Sequence, residues 1–204
     1  MQIYGRLFNI LPQKFVAKKV LKQVGENFPY VSPTRLCALE RDTVVNNTDL
    51  RQNLISKQRL IEEKRTLRET LRNNPVEYYK QLIKDTKDIA ALNCAEFSEI
   101  VFMMLKMNKV ENCQIVTIQT GNKRTIDHTL VRINADKLQK NVFVDAWLGI
   151  SGKTEKFVQN ISNKFAHCFE LVPNEKIKFI NISEVPLEDI HITALRKEFP
   201  QYCL

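Results

Sequence analysis

Between Met107 and Cys113 the repeat of apolar residues changes, dividing the chain into two unlike parts. Upstream the signals are helical. Gly25, Pro29, Ser32 and Pro33 end a first helix, and a short apolar helix fits Thr34 to Val45. Leu50, Leu54, Ile61, Leu67 and Leu71, spaced among many charges, predict a long and mostly solvated helix over 49–72. Asn74-Pro75-Val76-Glu77 then supplies an N-cap, a proline where a helix has no N–H bond to lose, and a glutamate able to reach back to the cap, so a further helix runs to about Leu92. Downstream, Cys113–Thr120, Ile126–Asn134 and Asn141–Trp147 are rich in Val, Ile, Thr and Phe and read as strands, the first two joined by the turn residues Gly121-Asn122-Lys123. His167–Val172 and Lys176–Ile182 extend the expected sheet to about five strands, Gly149–Asn163 reads as loop or short helix, and Leu187–Phe199 as a closing helix. Helices first and an antiparallel sheet after them is an α+β arrangement.

The junction between the parts carries chemistry. Asn93 is an N-cap and Glu96, three residues on, completes a capping box, so Cys94 is the first residue of a helix. Phe97, Ile100, Val101, Met104, Leu105 and Met107 follow at three- and four-residue spacing and predict burial along one side. A thiol at a helix N-terminus faces backbone N–H groups and the positive end of the macrodipole, both of which favour thiolate. Asp127-His128 lies inside an otherwise apolar strand, and Asp145 ends another after Val142-Phe143-Val144. Cysteine, histidine and aspartate are the set a thiol nucleophile needs: the imidazole moves the proton and the carboxylate orients the ring. Strand alternation turns His128 and Asp145 onto faces that can meet over the start of the Cys94 helix and turns Asp127 away, which makes Asp127 structural. Asn93 and Trp147 are the auxiliary residues, the first a candidate oxyanion donor and the second a shield for the His–Asp pair. Cys37, Cys113, Cys168, Cys203, His167 and His191 complete no such set and read as structural.

Charge and cysteine usage set limits. The formal charge is +8, and residues 1–92 hold 17 Lys/Arg against 10 Asp/Glu while 93–204 hold 14 against 13. Arg6, Lys14, Lys18, Lys19 and Lys22 are interleaved with Leu7, Phe8, Leu11, Phe15, Val16 and Val20 with no acid among them. Such a segment either packs its apolar stripe on the domain or, over residues 1–24, lies on an anionic membrane or acidic partner. No nucleic-acid motif or stacking platform accompanies the charge, so no nucleic-acid partner is expected. Five cysteines with no Cys-x-x-Cys pair argue against a disulfide framework and a zinc site, and no cofactor is expected; a metal site built from Cys94, His128 and Asp145 lacks paired-ligand spacing. A reducing compartment suits these thiols. No apolar run is long enough to span a bilayer, residues 1–25 lack a signal-peptide core, and Cys203 is misplaced for prenylation.

Asn93-Cys94-Ala95-Glu96, then Asp127-His128-Thr129-Leu130-Val131 with its histidine 34 residues after Cys94, then Val144-Asp145-Ala146-Trp147 with its acid another 17 on, resemble the motifs of papain-like and transglutaminase-like cysteine hydrolases. Within that superfamily the chain is similar to bacterial effector enzymes, the YopT-type proteases and the glutamine deamidases delivered into host cells. The resemblance covers about residues 88–150, under a third of the chain. It implies one papain-like catalytic domain over 1–204, with a helical part at 1–92 and the Cys-His-Asp core at 93–204. It further implies acyl-enzyme chemistry on a protein substrate, and a bacterial protein secreted into a host cytoplasm without a cleaved signal. One departure stands out: papain-type enzymes place a glutamine shortly before the nucleophile, where this chain has Asp88. The alternative is a non-catalytic protein that binds an anionic membrane or acidic partner through its basic N-terminal helix.

Overall fold

The computed structural model describes residues 13–39, 41–119, 125–134, 141–165 and 177–204. Among them the chain forms α1 (Gln13–Asn27), α2 (Pro33–Leu39), α3 (Arg41–Val45), α4 (Thr48–Glu69), α5 (Pro75–Ile89), α6 (Cys94–Met107), β1 (Cys113–Gln119), β2 (Thr125–Ile133), β3 (Val142–Asp145), β4 (Ile150–Lys153), α7 (Thr154–Phe165), β5 (Lys178–Asn181) and α8 (Asp189–Glu198). This is an α+β fold with a five-stranded antiparallel sheet in the order β4-β3-β2-β1-β5. Local chemistry sets the helix starts. Asn47 accepts from the Leu50 N–H at 2.9 Å to open α4, and Asn74 from the Glu77 N–H at 3.5 Å to open α5.

Helix α6 is the centre of the molecule. It crosses β1 and β2 and is flanked by α1, α5 and α8. Phe97, Ile100, Val101, Phe102, Met103, Met104, Leu105 and Met107 are all buried, so the expectation of burial along one side is corrected: α6 is enclosed on nearly every side. The run Val101-Phe102-Met103-Met104-Leu105 carries that information, because no polar stripe interrupts it. At about 1.5–3 kcal/mol for each such side chain, this burial fixes where α6 lies and therefore where Cys94 sits. One contiguous core takes Val16 and Val20 from α1, Leu82 from α5, Val116 and Val131 from the sheet and Leu195 from α8.

Several other expectations change. The stretch 149–163 forms a strand and a helix, β4 and α7, where a loop or short helix was expected. Ile150-Ser151-Gly152-Lys153 is a poor strand by composition, but Gly149 at φ 69° turns the chain back so that it pairs antiparallel with β3. The run His167–Val172, expected as a strand, lies outside the described residues, as do residues 1–12. Helix α5 ends at Ile89, because Ala90 adopts a left-handed φ of 51° and closes it.

Helix α4 is not merely a solvated face. Arg68 is only 2% exposed and donates to Asp85 of α5 at 3.1 Å and to Glu96 of α6 at 3.3 Å. Arg65 adds a two-pronged contact to Glu96 at 2.9 and 3.1 Å, and Gln81 holds the other oxygen of Asp85 at 2.7 Å. The Glu96 carboxylate also accepts from the Asn93 N–H at 3.3 Å, so this ionic cluster ends on the cap of α6. Removing Arg68 leaves two buried carboxylates undercompensated. Arg68→Leu is therefore expected to cost about 3 kcal/mol or more in urea denaturation. Arg65→Leu costs less, since the Arg65 side chain is 40% exposed and water takes its place. Equal, negligible losses contradict this account of the cluster.

Candidate active site

The sequence places Cys94, His128 and Asp145 far apart; the fold brings them together in one chain of contacts. Cys94 opens α6 and is half-buried. His128, 1% exposed, hydrogen-bonds to the Cys94 side chain and faces Asp145 through Nε2, with 2.7 Å to Oδ2. With Nε2 on the carboxylate, Nδ1 is the ring nitrogen left for the sulfur. Asp145, also 1% exposed, is held by its own turn, its Oδ1 accepting from the Leu148 N–H at 2.9 Å. Only the sulfur end of the array reaches solvent.

A bulge aims the histidine. Along β1 and β2, Thr117 pairs with Thr129 and the next β1 residue, Ile118, pairs with Ile126, so the register shifts across Asp127 and His128. Two extra residues on one strand bend it locally and re-aim a side chain, and such bulges are frequent beside active sites. Thr117 Oγ1 steadies the bulge by donating to the His128 carbonyl at 3.2 Å. His128 meets Asp145, as strand alternation expects, and is buried like Leu130 two residues on. Asp127 has its backbone in β2, but its side chain lies outside the described residues. Next to the bulge, Ser98 bonds the Cys94 carbonyl at 2.7 Å and the Thr129 hydroxyl at 3.3 Å, tying the first turn of α6 to β2.

Trp147 lies 4.9 Å from the His128 ring, centroid to centroid, is 2% exposed, and covers the imidazole. Its indole N–H donates to Ser32 at 2.8 Å and reaches Thr34 at 3.2 Å at the start of α2. Thr34 in turn donates to Asn93 Oδ1 at 3.1 Å, and the Asn93 amide donates to Gln58 at 2.8 Å. Val31 bridges Ala91 and accepts from the Leu92 N–H at 3.2 Å, which brings the Ser32–Thr34 segment alongside Asn93. Asn93, a candidate oxyanion donor by sequence, is buried and engaged in this brace. Ser32, Thr34 and Gln58 carry no signal in the linear sequence, because their partners are distant in the chain. Asp88 is exposed on α5.

Electrostatics separate the cysteines and charge the ring. For His128, burial is the largest influence and opposes protonation. The Asp145 charge and hydrogen bond, followed by the Cys94 sulfur, outweigh it, and the pKa is pushed up to about 10 from 6.5. Burial pushes the Cys113 thiol up to about 12, so that cysteine is an inert part of the core. Cys203 is exposed, and the side chains of Cys37 and Cys168 lie outside the described residues. Among the described residues no three His, Cys, Asp or Glu are arranged to hold a metal ion.

Chemically, the arrangement is a sulfur beside a proton-bearing imidazole whose far side is neutralised by a carboxylate, roofed by an indole and placed at the positive end of a helix. Comparison with known protein families, curated proteins and solved structures finds no match for the chain.

Because the folded ring binds its proton more tightly than the unfolded one, its contribution to stability is complete below pH 6.5 and is lost as pH rises through about 10. In ¹H–¹⁵N spectra of the imidazole nitrogens, His128 is expected to remain doubly protonated at pH 8, and Asp145→Ala to bring its titration down towards the ordinary range. A His128 that titrates near 6.5 in the native protein contradicts the geometry.

Proposed function

We propose that this protein is a papain-like thiol hydrolase acting on a carbonyl of a protein substrate, as a protease or a glutamine deamidase. The observation that carries the reading is the continuous contact from Cys94 through His128 to Asp145, two of whose members are buried and ionisable and have no packing reason to be there. The Cys94 sulfur, whose proton has passed to the His128 ring, attacks the carbonyl carbon, and electrons move onto the oxygen. The backbone N–H groups of Cys94 and Ala95, in the first turn of α6, have no partner within the helix and are the donors this reading assigns to the oxyanion. His128 gives its proton to the leaving nitrogen as the C–N bond breaks, leaving a thioester on Cys94. A water then attacks the thioester, His128 takes its proton, and the acid product and the thiol are released. Asp145 holds the ring in position and balances its charge throughout; Trp147 keeps water from that pair.

Proteolysis and deamidation share every one of these steps and differ only in the leaving nitrogen, a peptide amine or ammonia. The likeness to host-directed bacterial enzymes supports a host cytosol as the place of action, where reducing conditions preserve a thiol nucleophile. The membrane-binding alternative has less support, because Val16, Ala17, Val20 and Val24 of α1 are packed in the core, which leaves Phe15 as the one large apolar side chain exposed beside the lysines among the described residues of α1. Among the described residues no helix is long and apolar enough to cross a membrane.

The direct check is mass spectrometry of the proteome of cells expressing the wild-type chain or Cys94→Ala. Deamidation adds about one dalton at a glutamine and proteolysis creates new chain ends. Either change is expected with the wild type and not with Cys94→Ala or His128→Ala, while Asp145→Ala retains more activity than His128→Ala. Identical proteomes, or the same changes with Cys94→Ala, refute the proposal.

A further inference from the structure

A cavity of about 570 Å³, within the roughly 300–1,000 Å³ of ordinary ligand sites, is walled by residues of α1, α2, α6 and the turn after β3, with Cys94 itself not among the described lining residues. Its walls grow out of the catalytic elements. Phe97 stands one helical turn along α6 from Cys94, and Ala146 directly follows Asp145; Phe28 and Tyr30, from the end of α1 and the segment after it, face them. The floor is thus apolar and aromatic. Its rim is cationic: Lys18 and Lys22 project from α1 and Arg35 from α2, and among the described lining residues there is no carboxylate.

These charges are available. Lys18 and Arg35 make no ion pair among the described residues. Among the described residues Lys22 pairs with Glu26 alone, at 3.6 Å and with both side chains largely exposed, a contact worth little and readily exchanged. Lys18 also borders a second cavity of about 460 Å³ whose other cations are Lys14, Lys153 and Lys156, against the single acid Glu155. The positive track therefore continues along α1 to Lys14 and across to Lys153 and Lys156. A hydrolase for a basic segment requires acids in these positions, and a cleft for a purely apolar one gains nothing from three cations.

We propose that this cleft receives an acidic segment of a polypeptide. An apolar side chain enters between Phe28, Tyr30, Phe97 and Ala146, while flanking carboxylates lie against Lys18, Lys22 and Arg35. The inference rests on the thiol-hydrolase reading in one respect, that the chain so held presents a carbonyl to Cys94; the binding itself does not depend on catalysis. Electrostatic complementarity of this kind steers encounter and selects against segments of the wrong sign.

The test uses the full chain carrying Cys94→Ala and three fluorescein-labelled peptides, read by fluorescence anisotropy. One has Leu or Phe between runs of Glu and Asp, one replaces each acid by Lys, and one keeps the acids but replaces the apolar residue by Ser. The first is expected to bind at least about tenfold tighter than either of the others, to weaken as NaCl is raised, and to lose at least about tenfold on charge reversal by Lys18→Glu, Lys22→Glu and Arg35→Glu together. Equal affinity for the acidic and basic peptides overturns the proposal, as does indifference to the apolar residue. Binding to phosphatidylserine vesicles without discrimination among the peptides also overturns it, in favour of a membrane surface. A chloroacetyl form of the acidic peptide separates the two readings in the wild type. If the peptide binds but Cys94 is alkylated no faster than by iodoacetamide, the cleft stands and the catalytic reading fails; if Cys94 is reactive and no peptide is preferred, the reverse holds.

Discussion

The 2.7 Å contact between His128 Nε2 and the Asp145 carboxylate places two ionisable groups where almost no water reaches. Burying either alone costs several kcal/mol, so each is tolerable only with the other in place and with the remaining hydrogen-bonding capacity met. The surrounding structure supplies that. The Leu148 N–H takes the second carboxylate oxygen, Cys94 takes the other side of the ring, and Trp147 closes the roof. Satisfying the pair in this way also builds the geometry that acyl transfer requires, because a ring held charged beside a sulfur is already arranged for proton transfer.

Two braces keep the nucleophile in register with that pair. From one side, the ionic cluster of Arg65, Arg68, Asp85 and Glu96 grips the cap of α6. From the other, Ser32 and Thr34 join Trp147 to Asn93, and Gln58 joins Asn93 to α4. The helical first part of the chain is thus the support of the site. Its Lys18, Lys22 and Arg35 also line the cleft proposed to receive the substrate, so on that proposal the same elements position Cys94 and select what reaches it.

What could be read from sequence follows the range of the interactions. The start of α6 is legible because a cap and its glutamate act within one helical turn, and β1, β2, β3 and β5 because strand composition is local. The order Cys94, His128, Asp145 points to the site because those residue types have few structural reasons to stand in apolar surroundings. The bulge at Asp127-His128 is not legible: it is a property of the pairing with β1, and alternation along β2 alone suggests a regular strand. Nor are Ser32, Thr34 and Gln58, each a common polar residue whose part depends on a partner brought close by the fold. Strand β4 escapes notice because glycine, serine and lysine are weak strand formers, and its pairing comes from the turn at Gly149. The burial of Arg68 is hidden for a similar reason, since along α4 it is one charge among many.

The central claim is that His128 and Asp145 act as one unit on Cys94, and the rate of Cys94 alkylation by iodoacetamide tests it without any knowledge of the substrate. It is measured in the wild type, in His128→Ala, in Asp145→Ala and in the double variant. The account predicts a large fall on losing His128, a smaller one on losing Asp145, and a double variant no slower than His128→Ala, because the carboxylate works only through the ring. A Cys94 that reacts as fast in His128→Ala as in the wild type, or losses that multiply independently in the double variant, contradicts it.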